Sequence, residues 1–480
     1  MLFSSPAFIL AYLPAVFFGY FGLTRLRLTA AARVWLALAS LFFYGWWDVS
    51  YVPLLLASIA FNYGIGISLA KRPSRKMLVF GIASDLALLG YFKYAAFFAA
   101  NINQLTNAEL SIQQVVLPLG ISFYTFTQIA FLVDAYRGKV LERDPINYIL
   151  FVTFFPHLIA GPILHHAEMM PQFASRWNWV VRNSNVIKGL IIFAIGLFKK
   201  AILADTFAIW ADQGFSSQTQ LDFFSAWSTS LSYTFQLYFD FSGYCDMAIG
   251  AALQFNIRLP INFNSPYKAL DIQDFWRRWH ITLSRWLRDY LYIPLGGNRV
   301  GEIHVCFNLF ATFLLGGLWH GASWMFVIWG ALHGAAIVIH RTWSRMGLRM
   351  PAALAWFITF MFVNVTWVFF RAPDLDSALR VLGGMVDVSG QGAVNVAKFS
   401  WAGGTLGDSL LRVLPTGLAV NLLPFGMILI GFLLIAMRNS QEISSEKVSL
   451  PRVAVAATMM ACGVLTSITS TSTHFLYYQF

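Results

Sequence analysis

Charge is scarce in this chain. Asp, Glu, Lys and Arg make up 11% of its 480 residues, against 58% hydrophobic residues and a mean hydropathy of +0.62. That balance excludes a soluble globular domain, and apolar runs of membrane-spanning length recur along nearly the whole sequence. Cysteine is scarcer still. Cys245, Cys306 and Cys462 form an odd number, lie far apart in apolar stretches and make no metal-type pair, so neither a disulfide nor a zinc site is expected. There is no glycine-rich phosphate loop, no G-x-S-x-G elbow and no H-E-x-x-H motif, and His165 and His166 are adjacent rather than spaced for one metal. A P-loop nucleotide site, a serine hydrolase and a zinc enzyme are thereby disfavoured.

The apolar runs are continuous rather than alternating, which argues for helices over a β-barrel, since only these two structures satisfy every backbone group in hydrocarbon. The fold expected is an all-α polytopic membrane protein of about 11–12 transmembrane helices with re-entrant and interfacial pieces. It forms a single domain over residues 1–480, without repeats. The first run, Phe8 to Gly22, has neither a basic stretch before it nor a small-residue cleavage site after it and is read as an uncleaved span. The run at 305–342 is long enough for two spans, or for one and a re-entrant piece. The mildly polar interval from Arg371 to about Gly417 is expected on the membrane surface.

Basic residues gather at Arg25, Arg27 and Arg33, at 71–76, and at Arg137, Lys139 and Arg143, while the loops between are nearly free of them. The positive-inside rule then places those loops in the cytoplasm and the N-terminus on the far side. Residues 146–165, which include Pro156, His157, Gly161 and Pro162, make a poor continuous helix and are expected to enter and leave on the cytoplasmic side.

Against this background the stretch "DFWRRWHITLSRWLRDYLYIPLGGNR", Asp274 to Arg299, is conspicuous for Arg277, Arg278, Arg285, Arg288 and Arg299 around His280. At 100° per residue Trp276, Trp279, Leu283, Trp286 and Tyr290 share one side of a helix and Arg278, Arg285 and Arg288 another. Two readings follow. The segment is an interfacial helix with tryptophans among lipid headgroups, or its arginines line an opening for a polyanion such as coenzyme A, whose phosphates suit bidentate guanidinium groups. The net charge of +11 suits anionic headgroups and an anionic ligand equally. "LGGNR" closes the stretch as a tight turn.

About forty residues on, "LLGGLWHGASWMFVIWGALHG" holds His320 and His333 in apolar sequence. A histidine at membrane depth is a functional candidate by default, and glycines 316, 317 and 321 open space around His320. His333, about 220° further round an ideal helix, is read as structural. Asp240 and Asp246 in "QLYFDFSGYCDMAIG" are read as helix-to-helix hydrogen-bonding groups, with proton transfer the other possibility.

Taken with "LPLGISFYTFTQIAFLVDAYRG", "FFPHLIAGPILHHAEMMPQF" and "WVFFRAPDLDSALRVL", these two stretches resemble the membrane-bound O-acyltransferase superfamily, and within it the bacterial alginate O-acetyltransferase branch. The resemblance implies a multi-helix fold around a central tunnel, in the bacterial inner membrane, with no metal and no permanently bound cofactor. Acetyl-CoA would enter from the cytoplasm as the donor substrate. It also implies His320 and His280 as catalytic residues; Trp276, Arg277, Arg278 and Arg285 of the basic stretch are then expected to receive the donor. The acetyl group would then pass outward to periplasmic or membrane-anchored acetyltransferase partners and on to an exported polysaccharide, alginate foremost. Membrane lipids are the other partner; nucleic acid is not expected. A transporter or flippase for a polysaccharide or acyl carrier is the competing class, and a membrane subunit that only recruits periplasmic enzymes is a third; the chain shows no paired halves or inverted repeats of the transporter kind.

Overall fold

The computed structural model describes residues 1–106, 109–110, 116–388 and 416–469, and its regular elements there are all helical. In chain order the α-helices are α1 (Ala7–Arg25), α2 (Thr29–Gly45), α3 (Val49–Lys71), α4 (Arg75–Thr106), α5 (Ile121–Tyr136), α6 (Pro145–Thr153), α7 (His166–Ala174), α8 (Asn183–Phe198), α9 (Asp205–Ser216), α10 (Phe223–Gln254), α11 (Ile272–Arg278), α12 (Ile281–Leu287), α13 (Glu302–His320), α14 (Trp324–Arg345), α15 (Ala352–Arg371), α16 (Leu375–Val386), α17 (Thr416–Ala436), α18 (Ser440–Ser445) and α19 (Leu450–Thr469). Among the described residues seven of them are long and apolar enough to cross a membrane: α1, α3, α4, α13, α14, α15 and α19. Two shorter apolar helices, α2 and Leu423–Ala436 within α17, accompany them. Helices α5, α8 and α10 are shorter or carry more polar groups; most residues of α5 and α10 are buried among the other helices, as is one side of α8. Of the polar interval from Arg371 to about Gly417, the described part forms α16, and residues 389–415 lie outside the described residues.

Helix starts follow from capping side chains, which satisfy first-turn N–H groups that have no intrahelical partner. Asp144 accepts from Ile146 N and Asn147 N at 2.8 and 3.0 Å, with Pro145 in the first turn of α6. Asp222 caps α10 through Ser225 N at 2.7 Å, and Asp374 caps α16 through Ser377 N at 2.8 Å.

The interval 146–165 is not a continuous helix. After α6 the chain runs through Phe154–Leu164 in turns, buried throughout, and ends beside its own beginning. The His166 ring there lies 3.5 Å from Asp134 Oδ2 and 3.5 Å from Lys139 O, while Asp144 at the entry pairs with Arg33 at 3.2 Å. Entry and exit therefore share one end of the bundle, as a re-entrant segment requires.

The packing centre is α8 against α10. Glycines make the close approach possible: a Cβ on Gly196 would stand 2.5 Å from Gly243 O, and one on Gly189 2.6 Å from Gly250 O. The acids read in the sequence as interhelical groups are bonded across this seam, to partners the sequence reading did not name. The chain between α8 and α9 is a π-helical turn, Lys199–Ala204, and from it Lys199 pairs with Asp246 at 2.7 Å. Lys200 pairs with Asp205 and Asp240, each at 2.7 Å. The three cysteines are free thiols.

Candidate functional site

The basic stretch does not form the single amphipathic helix that its periodicity suggests. Helix α11 stops at Arg278, Trp279 is extended, and His280 sits in the left-handed region at φ 44°, ψ 52°, after which α12 begins in a new direction. A non-glycine residue there costs about 1–2 kcal/mol, and tertiary bonds to Asn262 hold it. Asn262 O accepts from Ile281 N at 3.0 Å, and Asn262 Oδ1 accepts from Thr282 N at 3.2 Å and Thr282 Oγ1 at 3.0 Å. The His280 Nδ1 lies 3.2 Å from the same oxygen, which can only accept, so this nitrogen carries the proton.

The aromatic face meets protein rather than headgroups. Trp276, Trp279, Leu283 and Trp286 are all buried, and Trp286 stacks on Phe126 at 3.7 Å while its Nε1–H donates to Phe126 O at 2.9 Å. The interfacial-helix reading is thereby corrected. The turn after it is as expected, with Gly296 and Gly297 at φ 112° and 54°, values that favour glycine.

A cavity of about 750 Å³ opens beside this segment. Trp276, Arg277, Arg285 and Arg288 line it from one side, Arg341 and Arg345 from α14, and His320 from the end of α13. Glu302, the first residue of α13, pairs with Arg341 and Arg345 at 2.6 Å each. His320 is the last residue of the same helix, so 19 residues at 1.5 Å per residue separate the two by about 27 Å. The cavity thus runs from a cationic mouth to a histidine near the far end of a membrane-length helix.

The residues singled out in the sequence distribute unevenly around this space. Trp276, Arg277, Arg285 and His320 line it together. Arg278 points elsewhere, with its Nε 2.9 Å from both oxygens of Asp274. His280 is fully buried and is not among the lining residues; the Trp319 ring contacts it at 6.4 Å and contacts His320 at 5.0 Å. His320 is also enclosed by Trp329 and Phe370, each 5.2 Å between ring centres. His333 has both nitrogens engaged: Trp276 Nε1–H donates to Nδ1 at 3.2 Å, and Nε2 faces Thr366 Oγ1 at 3.0 Å. That is a core histidine that fixes a lining tryptophan.

Two features escaped the sequence reading. One is Lys93, whose ammonium donates to Trp319 O and His320 O at 2.6 and 3.0 Å. The other is a second cavity, of about 530 Å³, which shares Arg285 with the first and contains Asp134, Arg137, Lys139, His165, His166, Glu168 and Tyr290. Glu168 holds Arg285 through both guanidinium nitrogens at 2.7 and 3.0 Å, so the basic segment is tied to the exit of the re-entrant stretch. The Tyr290 hydroxyl donates to Asp134 at 2.8 Å and lies 3.2 Å from His165 Nδ1. Burial, and then the Arg285 charge, push the His165 imidazole down to about 4, so it is neutral at cellular pH. Among the described residues no group of acids, histidines and cysteines is arranged to hold a metal.

A polytopic helical bundle that places one enclosed histidine at the deep end of an arginine-bordered cavity has the build of an intramembrane group-transfer enzyme. The chain belongs to the membrane-bound O-acyltransferase family, whose sequence model matches residues 85–372, and it is an acyltransferase. It is similar along its full length to a peptidoglycan O-acetyltransferase of Helicobacter pylori, 46% identical over 100% of this chain and 98% of the relative. A probable alginate O-acetylase of Pseudomonas putida is 43% identical over 80% of each chain. A teichoic acid D-alanyltransferase of Bacillus subtilis is 28% identical over 51% of this chain and 66% of the relative.

Proposed function

We propose that the chain transfers acetyl groups from cytoplasmic acetyl-CoA across the bacterial inner membrane for O-acetylation of an extracytoplasmic polysaccharide. The single observation that carries this reading is the cavity that joins arginines to His320. The guanidinium groups of Arg277, Arg285 and Arg288 suit the donor's phosphates, and the cavity leads the thioester toward the histidine.

There the acceptor hydroxyl oxygen attacks the acetyl carbonyl carbon while a ring nitrogen of His320 takes the hydroxyl proton. The carbon–sulfur bond breaks, the sulfur leaves as thiolate, and the proton returns to it as coenzyme A departs. A thioester is already activated, so alignment and the base supply most of the work. His280, bonded to Asn262 and in contact with Trp319, supports the wall behind His320.

The sidedness of this path is supported by the ties between the re-entrant segment, the basic loops and the arginine segment. Arg33 pairs with Asp144, His166 lies against Lys139 O, and Glu168 pairs with Arg285, so each basic element meets the re-entrant segment near its entry or exit, and the positive-inside rule assigns the basic loops to the cytoplasm with the N-terminus periplasmic. In a cysteine-free background, Lys139→Cys, Arg176→Cys and Arg299→Cys are each expected to resist an impermeant thiol reagent added outside cells with permeabilised outer membranes. Labelling of Arg299→Cys alone would put the donor site on the wrong face.

Peptidoglycan is the acceptor polymer this reading favours over alginate, because the similarity to the peptidoglycan O-acetyltransferase covers 100% of the chain at 46% identity, against 80% at 43% for the alginate O-acetylase of Pseudomonas putida. Five alginate relatives at 41% to 43% identity support alginate as the second reading. The immediate acceptor is the hydroxyl of a periplasmic or membrane-anchored acetyltransferase partner. Loss of ester-linked acetate from muropeptides in cells lacking the chain supports the first polymer; loss from secreted polysaccharide alone supports the second.

The donor site has its own test. Arg277→Gln with Arg285→Gln is expected to raise the KM for acetyl-CoA by about 10²–10⁴-fold with kcat little changed, and more so as salt rises, since each charge-assisted phosphate contact is worth about 1.5–3 kcal/mol and each 1.4 kcal/mol is about tenfold. Arg278→Gln should leave KM near the wild-type value, because Arg278 is not among the residues that line the cavity and pairs with Asp274 outside it.

A further inference from the structure

Helix α13 ends abruptly at His320, where Gly321 turns extended at φ −166°, ψ 155°. The last four carbonyls of any helix lack intrahelical partners, and at membrane depth water is not there to supply them. Here two consecutive residues of α4 do so. Tyr94 OH donates to Leu318 O at 2.8 Å, and the Lys93 ammonium donates to Trp319 O at 2.6 Å, His320 O at 3.0 Å and Ser122 Oγ at 3.3 Å. The three protons of the ammonium are thus matched by three oxygens drawn from two other helices. Lys93 and Tyr94 stand on a π-helical turn, Gly90–Tyr94, in an otherwise regular helix. Such turns re-aim side chains and recur at functional sites.

The charge is what needs explaining. Lys199 and Lys200 are buried against carboxylates, whereas the hydrogen-bond acceptors of Lys93 are two carbonyls and a hydroxyl. A neutral donor such as Tyr94 satisfies a helix end without taking an ion out of water, so the ammonium of the half-buried Lys93 is the costlier cap. The negative end of the α13 dipole compensates it in part, and the Trp319 ring, 5.7 Å from Nζ, adds a cation–π contact.

We propose that Lys93 is a positioning residue for acyl transfer, its ammonium clamping the main chain of Trp319 and His320 so that the imidazole is held at the end of the cavity. The inference rests on His320 being the base. The clamp joins α4, the first turn of α5 and the end of α13, three elements that no single helix packing contact would register to the tolerance a proton transfer needs. Alignment of that kind acts on the chemical step and leaves donor binding at the arginines untouched.

Lys93→Met retains the length and apolar stem and removes the charge with its bonds. It is expected to lower kcat for acetyl-CoA turnover about 100-fold while the KM for acetyl-CoA stays within about threefold of wild type, the range that small misplacements of a reacting group produce. Tyr94→Phe, which removes one bond and no charge, is expected to lower kcat by about fivefold with KM again unchanged. Wild-type kcat per folded molecule in Lys93→Met overturns the proposal, as does a rise in KM that accounts for the whole loss. If Lys93→Met does not accumulate in the membrane, the Tyr94→Phe result decides, since unchanged kcat there removes the alignment argument. His320→Ala run beside them separates the two ideas. Activity in His320→Ala sinks the base itself, whereas an inactive His320→Ala with a fully active Lys93→Met sinks only the clamp.

Discussion

His320→Ala is expected to abolish acetyl transfer while the protein folds and inserts. The ring sits among Trp319, Trp329 and Phe370 and borders a cavity already about 750 Å³ in volume, so truncation enlarges an existing space rather than opening a void in a close-packed core. What is lost is the group that takes the acceptor proton, a contribution of about 10²–10⁴-fold. The readout is ester-linked acetate on the cell's polysaccharide together with the amount of membrane-inserted protein. Inserted His320→Ala protein that sustains wild-type acetylation would reduce His320 to a packing residue.

Gly196→Val is expected to have the largest effect on folding. A Cβ there would stand 2.5 Å from Gly243 O, 2.7 Å from Met247 N and 2.9 Å from Asp246 Cβ, distances that no rotamer change relieves because two of the three atoms are backbone. The helices must part, and three residues on they carry the Lys199–Asp246 pair at 2.7 Å. Separating a buried ion pair costs about 3–5 kcal/mol, a large share of the 5–15 kcal/mol that keeps a typical domain folded. Little monodisperse protein should survive extraction in detergent. Gly64→Ala in α3, where a Cβ meets open space, is expected to extract normally and to raise the thermal midpoint slightly. Equal yields for the two variants would contradict the seam.

The sequence carried the helical class, the re-entrant segment and the association of arginines with a deep histidine, because each leaves a local mark: continuous apolar runs, prolines and a glycine in a would-be span, charge where charge is rare. The path of the basic segment left no such mark. Its helical periodicity is genuine over Trp276 to Tyr290, but Asn262, which breaks it, belongs to a different part of the chain, and a bond of that kind overrides a propensity worth tenths of a kcal/mol per residue. For the same reason Arg278, equivalent to Arg277 in composition, turns to Asp274 and away from the cavity. The partners of Asp240 and Asp246 were in view as Lys199 and Lys200 but went unread, since two lysines at the end of an apolar run look like an interfacial anchor until the π-helical turn brings them inward. Lys93 was hidden by distance: its two carbonyl acceptors lie more than two hundred residues along the chain.

The most direct measurement gives purified, lipid-reconstituted protein acetyl-CoA with a radiolabelled acetyl group and follows free thiol and label together. The account predicts thiol release by the wild-type protein, label transferred to a hydroxyl acceptor, and neither with His320→Ala at equal protein. Movement of a glycan or acyl carrier across the bilayer with no consumption of the thioester would contradict it, and would make the arginine-bordered cavity a transport path.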